Sequence, residues 1–398
     1  MNDRRGYRRG ILSGAAGMVI ILLLLFALWR AGVIFPSEAS LLSYQNVMKL
    51  SYIDRLIDNK YIGEVDKDVS SDYLMAGALA GLEDDYSVYY TKDQYVTLQE
   101  STSGEYNGIG VAMQTQEDGS LVIVKCYEDS PAAQAGLLVG DTILAINGQS
   151  TSDMTLEELV AIIRDTATLE ITLEIQREGS ENFEVTVEKT DIVSPSVSSA
   201  MLSDQIGYIV ISEFTDVTFQ QYQQAFAELE DQGMQKLIID VRNNPGGLYS
   251  SVCDVLNSIL PEGVMVYTID KQGNKTEEVS EGETPLSIPL SVLINGKSAS
   301  SAEIFAGAIK DYEIGTLVGE KTFGKGIVQT IFPLSDGSAV KLTTSKYYTP
   351  DGNNIHGIGI QPDVEVEAEG ETAVPGEEAS YTQDAQLQAA IQALEETP

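Results

Sequence analysis

Asn295-Gly-Lys-Ser-Ala-Ser-Ser-Ala-Glu-Ile-Phe-Ala-Gly-Ala-Ile-Lys310 opens in small polar residues and becomes, from about Glu303, an apolar, alanine-rich helix pattern. Ser298, Ser300 and Ser301 therefore sit at or just before a helix N-terminus, where unpaired backbone N–H groups and the helix dipole favour negative charge. A second stretch, Gly319-Glu-Lys-Thr-Phe-Gly-Lys-Gly-Ile-Val-Gln329, sets Lys325 between two glycines with Phe323, Ile327 and Val328 close by. Apolar surroundings lower the proton affinity of an ammonium, because desolvation penalises its charged form. A neutral lysine beside a serine can act as its general base. Each stretch also has a plain structural reading: a cluster of N-cap serines and a lysine that snorkels to water.

Composition narrows the chemistry. The chain holds one histidine, His356, in the glycine-punctuated segment Asn353-Asn-Ile-His-Gly-Ile-Gly-Ile360, so a Ser-His-Asp triad would have to use it. Two cysteines, Cys126 and Cys253, with that histidine leave no Cys/His set for zinc, and no metal or cofactor is expected. Both cysteines lie in apolar periodic segments and read as buried free thiols. The formal charge of −36 argues against nucleic acid as a partner.

Ser-Ala-Ser-Ser-Ala-Glu-Ile followed by Thr-Phe-Gly-Lys-Gly-x-Val-Gln resembles the carboxy-terminal processing peptidases, or tail-specific proteases. In that family the nucleophilic serine precedes the lysine by 25 positions, the separation of Ser300 and Lys325. The resemblance implies Ser300 as nucleophile, Lys325 as base and Gln329, four residues on, as the amide that orients the lysine. Where the family usually reads Ser-Ala-Ser-Ala-Ser-Glu, this chain exchanges Ser301 and Ala302. Ser301 is thereby a rival nucleophile, although the resemblance assigns a role only to its backbone N–H.

From Ile192 to about Val366 strands alternate with helices, the pattern of an α/β layer structure. Lys236-Leu-Ile-Ile-Asp-Val241 reads as a buried strand that runs into Arg242-Asn-Asn-Pro-Gly-Gly247. Without Gly-Lys-Ser/Thr this glycine loop is no P-loop. The resemblance implies that it gives one oxyanion-hole N–H, from Gly246 or Gly247, with a second from Ser301; such donors stabilise the tetrahedral intermediate of acyl transfer.

Upstream, residues 104–190 look like a PDZ domain. Gly108-Ile-Gly-Val111 opens a strand whose successive N–H groups could hold a carboxylate, which assigns Gly108, Ile109, Gly110 and Val111 to a substrate C-terminus. Thr155-x-x-Glu158 is a capping box that starts a helix at Leu156. After Ala135-Gly136-Leu137 the family often carries a basic residue and a proline, where this chain has Leu138 and Val139. At the N-terminus, Arg4, Arg5, Arg8 and Arg9 precede 20 uncharged residues from Gly10 to Trp29. A helix of about 20 residues spans the hydrocarbon layer, and flanking arginines keep their side cytoplasmic.

The expected organisation is a cytoplasmic tip and transmembrane signal anchor (1–35), a helical segment (36–103), the PDZ domain of mixed α and β structure (104–190) and an α/β serine peptidase core (191–366). An acidic linker and short C-terminal helix (367–398) complete it. The reading is a single-pass, membrane-anchored, extracytoplasmic serine endopeptidase that acts on polypeptides with a free C-terminus. The chain is compatible with a homo-oligomer. Two alternatives stand beside it: a PDZ adaptor that only binds peptides, and a hydrolase built on His356.

Overall fold

In the computed structural model, residues 14, 17–24, 26 and 40–396 are described, apart from 117, 128, 165–166, 284 and 371. The chain divides into two compact units, 1–89 and 90–398. In the first, helices α1 (Tyr44–Lys60) and α2 (Lys67–Ala80) are capped by Ser43 and Asp66, whose side chains accept from the N–H groups of Asn46 and of Asp68 and Val69. No residue of either helix is buried. Residues 14, 17–24 and 26 of the expected anchor are helical, and the rest of the anchor lies outside the described residues. Among the described residues no helix is long and apolar enough to cross a membrane.

The second unit opens with α3 (Lys92–Ser103), fixed by a capping box between Thr91 and Gln94. After β1 (Glu105–Gly108) come β2 (Val111–Thr115), β3 (Leu121–Cys126), β4 (Thr142–Ile146), α4 (Leu156–Arg164), β5 (Glu170–Gln176), β6 (Phe183–Glu188) and β7 (Thr190–Val193). Strands β2-β3-β4-β5-β6 form one antiparallel sheet in that order, and β1 pairs with β7. Alternation along β5 sends Ile171, Leu173 and Ile175 inward, where Leu159 and Ile163 of α4 meet them. Thr155 and Glu158 exchange the two bonds of the capping box that starts α4. Leu138 and Val139 are exposed.

Beyond β7 come β8 (Val197–Met201), β9 (Ile206–Ile211), α5 (Thr218–Asp231), β10 (Lys236–Asp240), α6 (Tyr249–Asn257), β11 (Gly263–Asp270) and β12 (Lys275–Ser280). They are followed by β13 (Leu290–Ile294), α7 (Ser301–Asp311), β14 (Thr316–Gly319), β15 (Ile327–Pro333), β16 (Ala339–Tyr348), β17 (Val364–Glu365) and α8 (Ala385–Glu396). The main sheet runs β8-β9-β10-β13-β14-β17, parallel except for the first pair. Both faces are covered, so its central strands are continuous apolar runs. Leu237 and Ile239 face α5, α6 and α7, while Ile238 and Leu293 face Leu387, Ala390 and Leu394 of α8. A second, antiparallel sheet includes β15-β16-β11-β12. The last helix starts at Ala385, where the Asp384 carboxylate caps it by accepting from Leu387 N–H at 3.0 Å.

The placement of three loops follows from this order. Neighbouring parallel strands β10, β13 and β14 end at Asp240, Ile294 and Gly319, so the glycine, serine and lysine loops all leave the same edge of the sheet. The carboxyl edge of a parallel sheet is where α/β folds build their sites. Both cysteines are free thiols; Cys253 is buried, which pushes its thiol up to about 12, and Cys126 is half-buried.

Just before β4, Asp141 is buried and accepts from Arg177 at 2.6 and 2.7 Å and from Leu138 N–H at 2.9 Å. Burial opposes its charge, but Arg177 and the N–H outweigh it and hold the carboxyl below its usual range. A depressed folded value gives stability that is complete above the unfolded carboxyl value and lost as pH falls through the folded one. Asp141→Asn is expected to cost about 1–3 kcal/mol at pH 7 and to lose less of its stability on acidification than wild type. Thermal melts of the full chain at neutral and acid pH check both; equal melting at pH 7 would remove the ion pair from the account.

Candidate active site

Ser300 stands between β13 and α7 with φ 55° and ψ −115°, a conformation that L-residues rarely adopt. Such strain costs about 1–3 kcal/mol and persists only where the surroundings over-determine it. Here they do. Ser300 N–H donates to Glu303 Oε2 at 3.0 Å, and its carbonyl accepts from Glu303 N–H, Ile304 N–H and the Tyr347 hydroxyl. The neighbouring serines are engaged elsewhere: Ser298 Oγ donates to Val241 O at 2.7 Å and Ser301 Oγ to Gly247 O at 3.0 Å.

Glu303 joins the two halves of the site. Its side chain is fully buried, yet it accepts four hydrogen bonds. Oε1 takes Thr322 Oγ1 at 2.6 Å and Gly324 N–H at 2.7 Å, while Oε2 takes Lys325 N–H at 2.8 Å beside Ser300 N–H. Four donors saturate the two oxygens, so the group is an acceptor only. Tyr347, buried against this site, has its phenol pushed well above the usual value by burial and by the Glu303 charge.

Lys325 is half-buried and lines a cavity of about 410 Å3 together with Ser300, Ser301, Gly247 and Gln329. Ile327 and Val328 line it too, whereas Phe323 is 58% exposed and does not. The apolar setting expected from Phe323 is therefore corrected. Thr322 binds Glu303 through its hydroxyl and Gly324 through its N–H, and the Phe323 side chain between them stands in solvent. The Gln329 amide donates to Thr343 Oγ1 at 3.4 Å. His356 is exposed and is not among the residues lining the cavity.

The glycine loop packs directly behind Ser300. A side chain on Gly246 would meet Ala299 O and Ser300 Cβ at 2.8 Å, and one on Gly247 would collide with Phe214 O. Gly246 is buried, its N–H donates to Asn244 Oδ1 at 2.8 Å, and it does not line the cavity. Gly247 and Ser301 do line it, and among the described residues neither N–H has an acceptor. Ser301 N–H is also the first of helix α7, where the dipole favours an anion.

Ile109, Gly110 and Val111 line a second cavity of about 340 Å3, and Gly108 does not. Met113, Val160 and Ile163 supply its apolar floor. Arg164 at its rim pairs with Glu100 of α3 at 2.6 Å and lies over the Tyr106 ring. Burial pushes the Tyr106 phenol up to about 12.

Three contributors were not singled out from the sequence: Glu303, Asn244 and Tyr347. For Glu303 a signal existed, since Ser300-x-x-Glu303 has capping-box spacing. Tyr347 reaches Ser300 O across 47 residues, and no local pattern marks it.

Comparison with known proteins agrees with this layout. Residues 205–366 match peptidase family S41 and residues 122–177 match the PDZ domain. A carboxyl-terminal-processing protease of Synechocystis sp. is 38% identical over 322 residues, covering 79% of this chain and 75% of its own. A Staphylococcus aureus (strain COL) protein described as a probable CtpA-like serine protease is 35% identical over 326 residues, covering 81% of this chain and 65% of its own. Among solved structures, a Bacteroides fragilis protein described as an S41 protease shares the fold, with a TM-score of 0.52 at 16% identity over 86% of this chain and 97% of that one.

Glu303→Gln leaves an amide NH2 facing backbone N–H groups and removes acceptors from both loops. Each unsatisfied buried group costs about 1–3 kcal/mol, and a displaced reactive group can lose about 100-fold in rate. A folded Glu303→Gln chain is expected to cleave peptides at least about 100-fold more slowly. Steady-state kinetics beside a circular dichroism spectrum test this, and near-normal turnover would show that the four bonds do not position the loops.

Proposed function

The chain belongs to peptidase family S41, among the carboxyl-terminal-processing proteases, and is a serine-type peptidase; from that premise we propose that Ser300 is its nucleophile and Lys325 its general base. The observation that carries this reading is one cavity lined by Ser300, Lys325, Gln329, Gly247 and Ser301, the last two with N–H groups that have no acceptor among the described residues. Neutral Lys325 takes the Ser300 proton as Oγ attacks the peptide carbonyl. The oxyanion that forms is held by the N–H groups of Gly247 and Ser301. Gly246 is the weaker candidate, because its N–H is bound to Asn244. Lys325 then protonates the leaving amine, and water, deprotonated by the lysine, hydrolyses the acyl-enzyme. Gln329 orients the lysine.

The PDZ domain recognises the free C-terminus of a polypeptide substrate. Ile109, Gly110 and Val111 in the lining of a partly apolar groove support this, as does Arg164, a cation that an incoming carboxylate can reach by displacing Glu100. The enzyme is held in the cell membrane by the helix Gly10–Trp29, with its N-terminus cytoplasmic and the rest outside. The arginine cluster before a charge-free run of 20 residues supports that topology.

Digestion of a tagged, unstructured peptide tests the chemistry. Ser300→Ala and Lys325→Ala are expected to lose at least about a thousandfold in rate. Ser301→Ala and His356→Ala should retain most of it. Lys325→Arg should be inactive, because guanidinium stays charged. A base must be unprotonated, so cleavage should fall as pH drops. A rate flat down to pH 5, or an active Lys325→Arg chain, would remove lysine from this role.

Topology has its own test. Protease added to intact cells is expected to remove the bulk of the chain beyond about residue 36. Digestion that requires permeabilised cells would reverse the orientation.

A further inference from the structure

The family match ends at residue 366, yet α8 and the segment before it seal the far face of the main sheet with Leu387, Ala390 and Leu394. The same segment sends two side chains to the loop behind Ser300. Arg242, the first residue of that loop, is buried between Asp240 and Asp384. Its Nη1 donates to Asp384 Oδ1 and Gln386 Oε1, both at 3.0 Å, and its Nη2 to Asp384 Oδ2 at 2.8 Å and Asp240 Oδ2 at 2.7 Å. Its Nε reaches Asp240 at 3.0 Å. Asp384 is fixed in turn by the N–H groups of Ala373 and Leu387, and Gln386 by Val366 O.

From Arg242 the contacts run directly to the reactive serine. Asn243 and Asn295 exchange two hydrogen bonds, which stitch the glycine loop to the serine loop. Asn244 accepts Gly246 N–H through its side chain and Ala299 N–H, at 3.0 Å, through its carbonyl. Ala299 precedes Ser300, and Gly247 follows Gly246. A buried guanidinium saturated in a fixed fork sets direction as well as distance. Asp240 and Asp384 thus anchor the start of the loop that, through Asn244 and Gly246, leads to Gly247.

We infer that the C-terminal segment is a working part of the catalytic unit, with Asp384 a positioning residue that acts through Arg242 on the loop carrying Gly247 N–H. This rests on the reading of Ser300 as nucleophile and Gly247 as oxyanion donor. The contribution belongs to the transition state, since a misaligned N–H binds the developing oxyanion less well and leaves substrate binding nearly unchanged.

Full-length wild type, Asp384→Asn, Asp384→Glu, Gln386→Met and Leu394→Ala are compared by melting, peptide kinetics and fluorophosphonate labelling located by mass spectrometry. Loss of one oxyanion donor costs about 100–1000-fold, so a misplaced one in Asp384→Asn should cost at least about 10-fold in kcat, with KM within about twofold. Labelling should slow in parallel, and Asp384→Glu should recover part of the loss. If Asp384→Asn does not fold, Gln386→Met should show a smaller loss of the same kind. Leu394→Ala removes apolar packing from the same helix and should melt earlier while its kcat stays within about threefold at a temperature where it is folded. Wild-type kcat in a folded Asp384→Asn, or in Gln386→Met where Asp384→Asn does not fold, overturns the inference alone. So does an equal loss of kcat in Leu394→Ala, which would mark a purely structural role. A wild-type chain that does not label at Ser300 overturns the premise, and the inference with it.

Discussion

The Glu303 carboxylate lies where the serine and lysine loops meet, and each depends on it for shape. Its acceptors hold Ser300 N–H on one side and Lys325 N–H, Gly324 N–H and the Thr322 hydroxyl on the other. A buried carboxylate is costly unless its lone pairs are filled. Here they are filled only when both loops adopt the observed conformation, so the cost of leaving them empty becomes a restraint. A side chain 22 residues from Lys325 in sequence thus fixes the lysine backbone relative to the serine. The main sheet makes this cheap to arrange, because β13 and β14 are parallel neighbours and deliver both loops to one edge.

The same restraint explains why Ser300 can hold a positive φ. Strain of that kind has no use in a peptide-binding adaptor, which needs only groove and edge. It has a use where a hydroxyl must stand clear of its helix while the next N–H stays unoccupied. Ser301 satisfies the second condition and not the first: its hydroxyl is spent on Gly247 O. What separates the two serines is that the Ser301 hydroxyl is committed to Gly247 O.

Much of this was legible in the sequence because it is local. Continuous apolar runs such as Leu237–Ile239 announce strands buried on both faces. Thr155 and Glu158 announce a capped helix, and the spacing of Ser300 and Lys325 matches a known pattern. What was not legible depends on pairing across distance. The choice between Gly246 and Gly247 turns on Asn244, whose amide oxygen occupies one N–H and leaves the other. Phe323 looked like a wall of the lysine site from proximity alone, but its side chain stands in solvent while its neighbours bind Glu303. The stretch after residue 366 reads as an acidic linker and a short helix of no further role, because composition carries no record that Asp384 will meet Arg242, 142 residues away.

The groove beside Val111 and the cavity of Ser300 share part of their walls. Ser101 of α3 and Glu213 line both the groove beside Val111 and the cavity of Ser300. Glu100, next to Ser101, holds Arg164 at the groove rim, and Thr102 lines the Ser300 cavity while its carbonyl accepts Asp216 N–H at 3.1 Å. Three consecutive residues of one helix therefore touch the groove, the shared wall and the reactive cavity. A helix moves as a rigid piece over so short a span. Any displacement of α3 large enough to part Glu100 from Arg164 must also shift Ser101 and Thr102 against the site. The ion pair is only partly buried, with side chains 31% and 25% exposed, so solvent weakens it. The groove beside Val111 and the cavity of Ser300 thus share one helix as part of their walls.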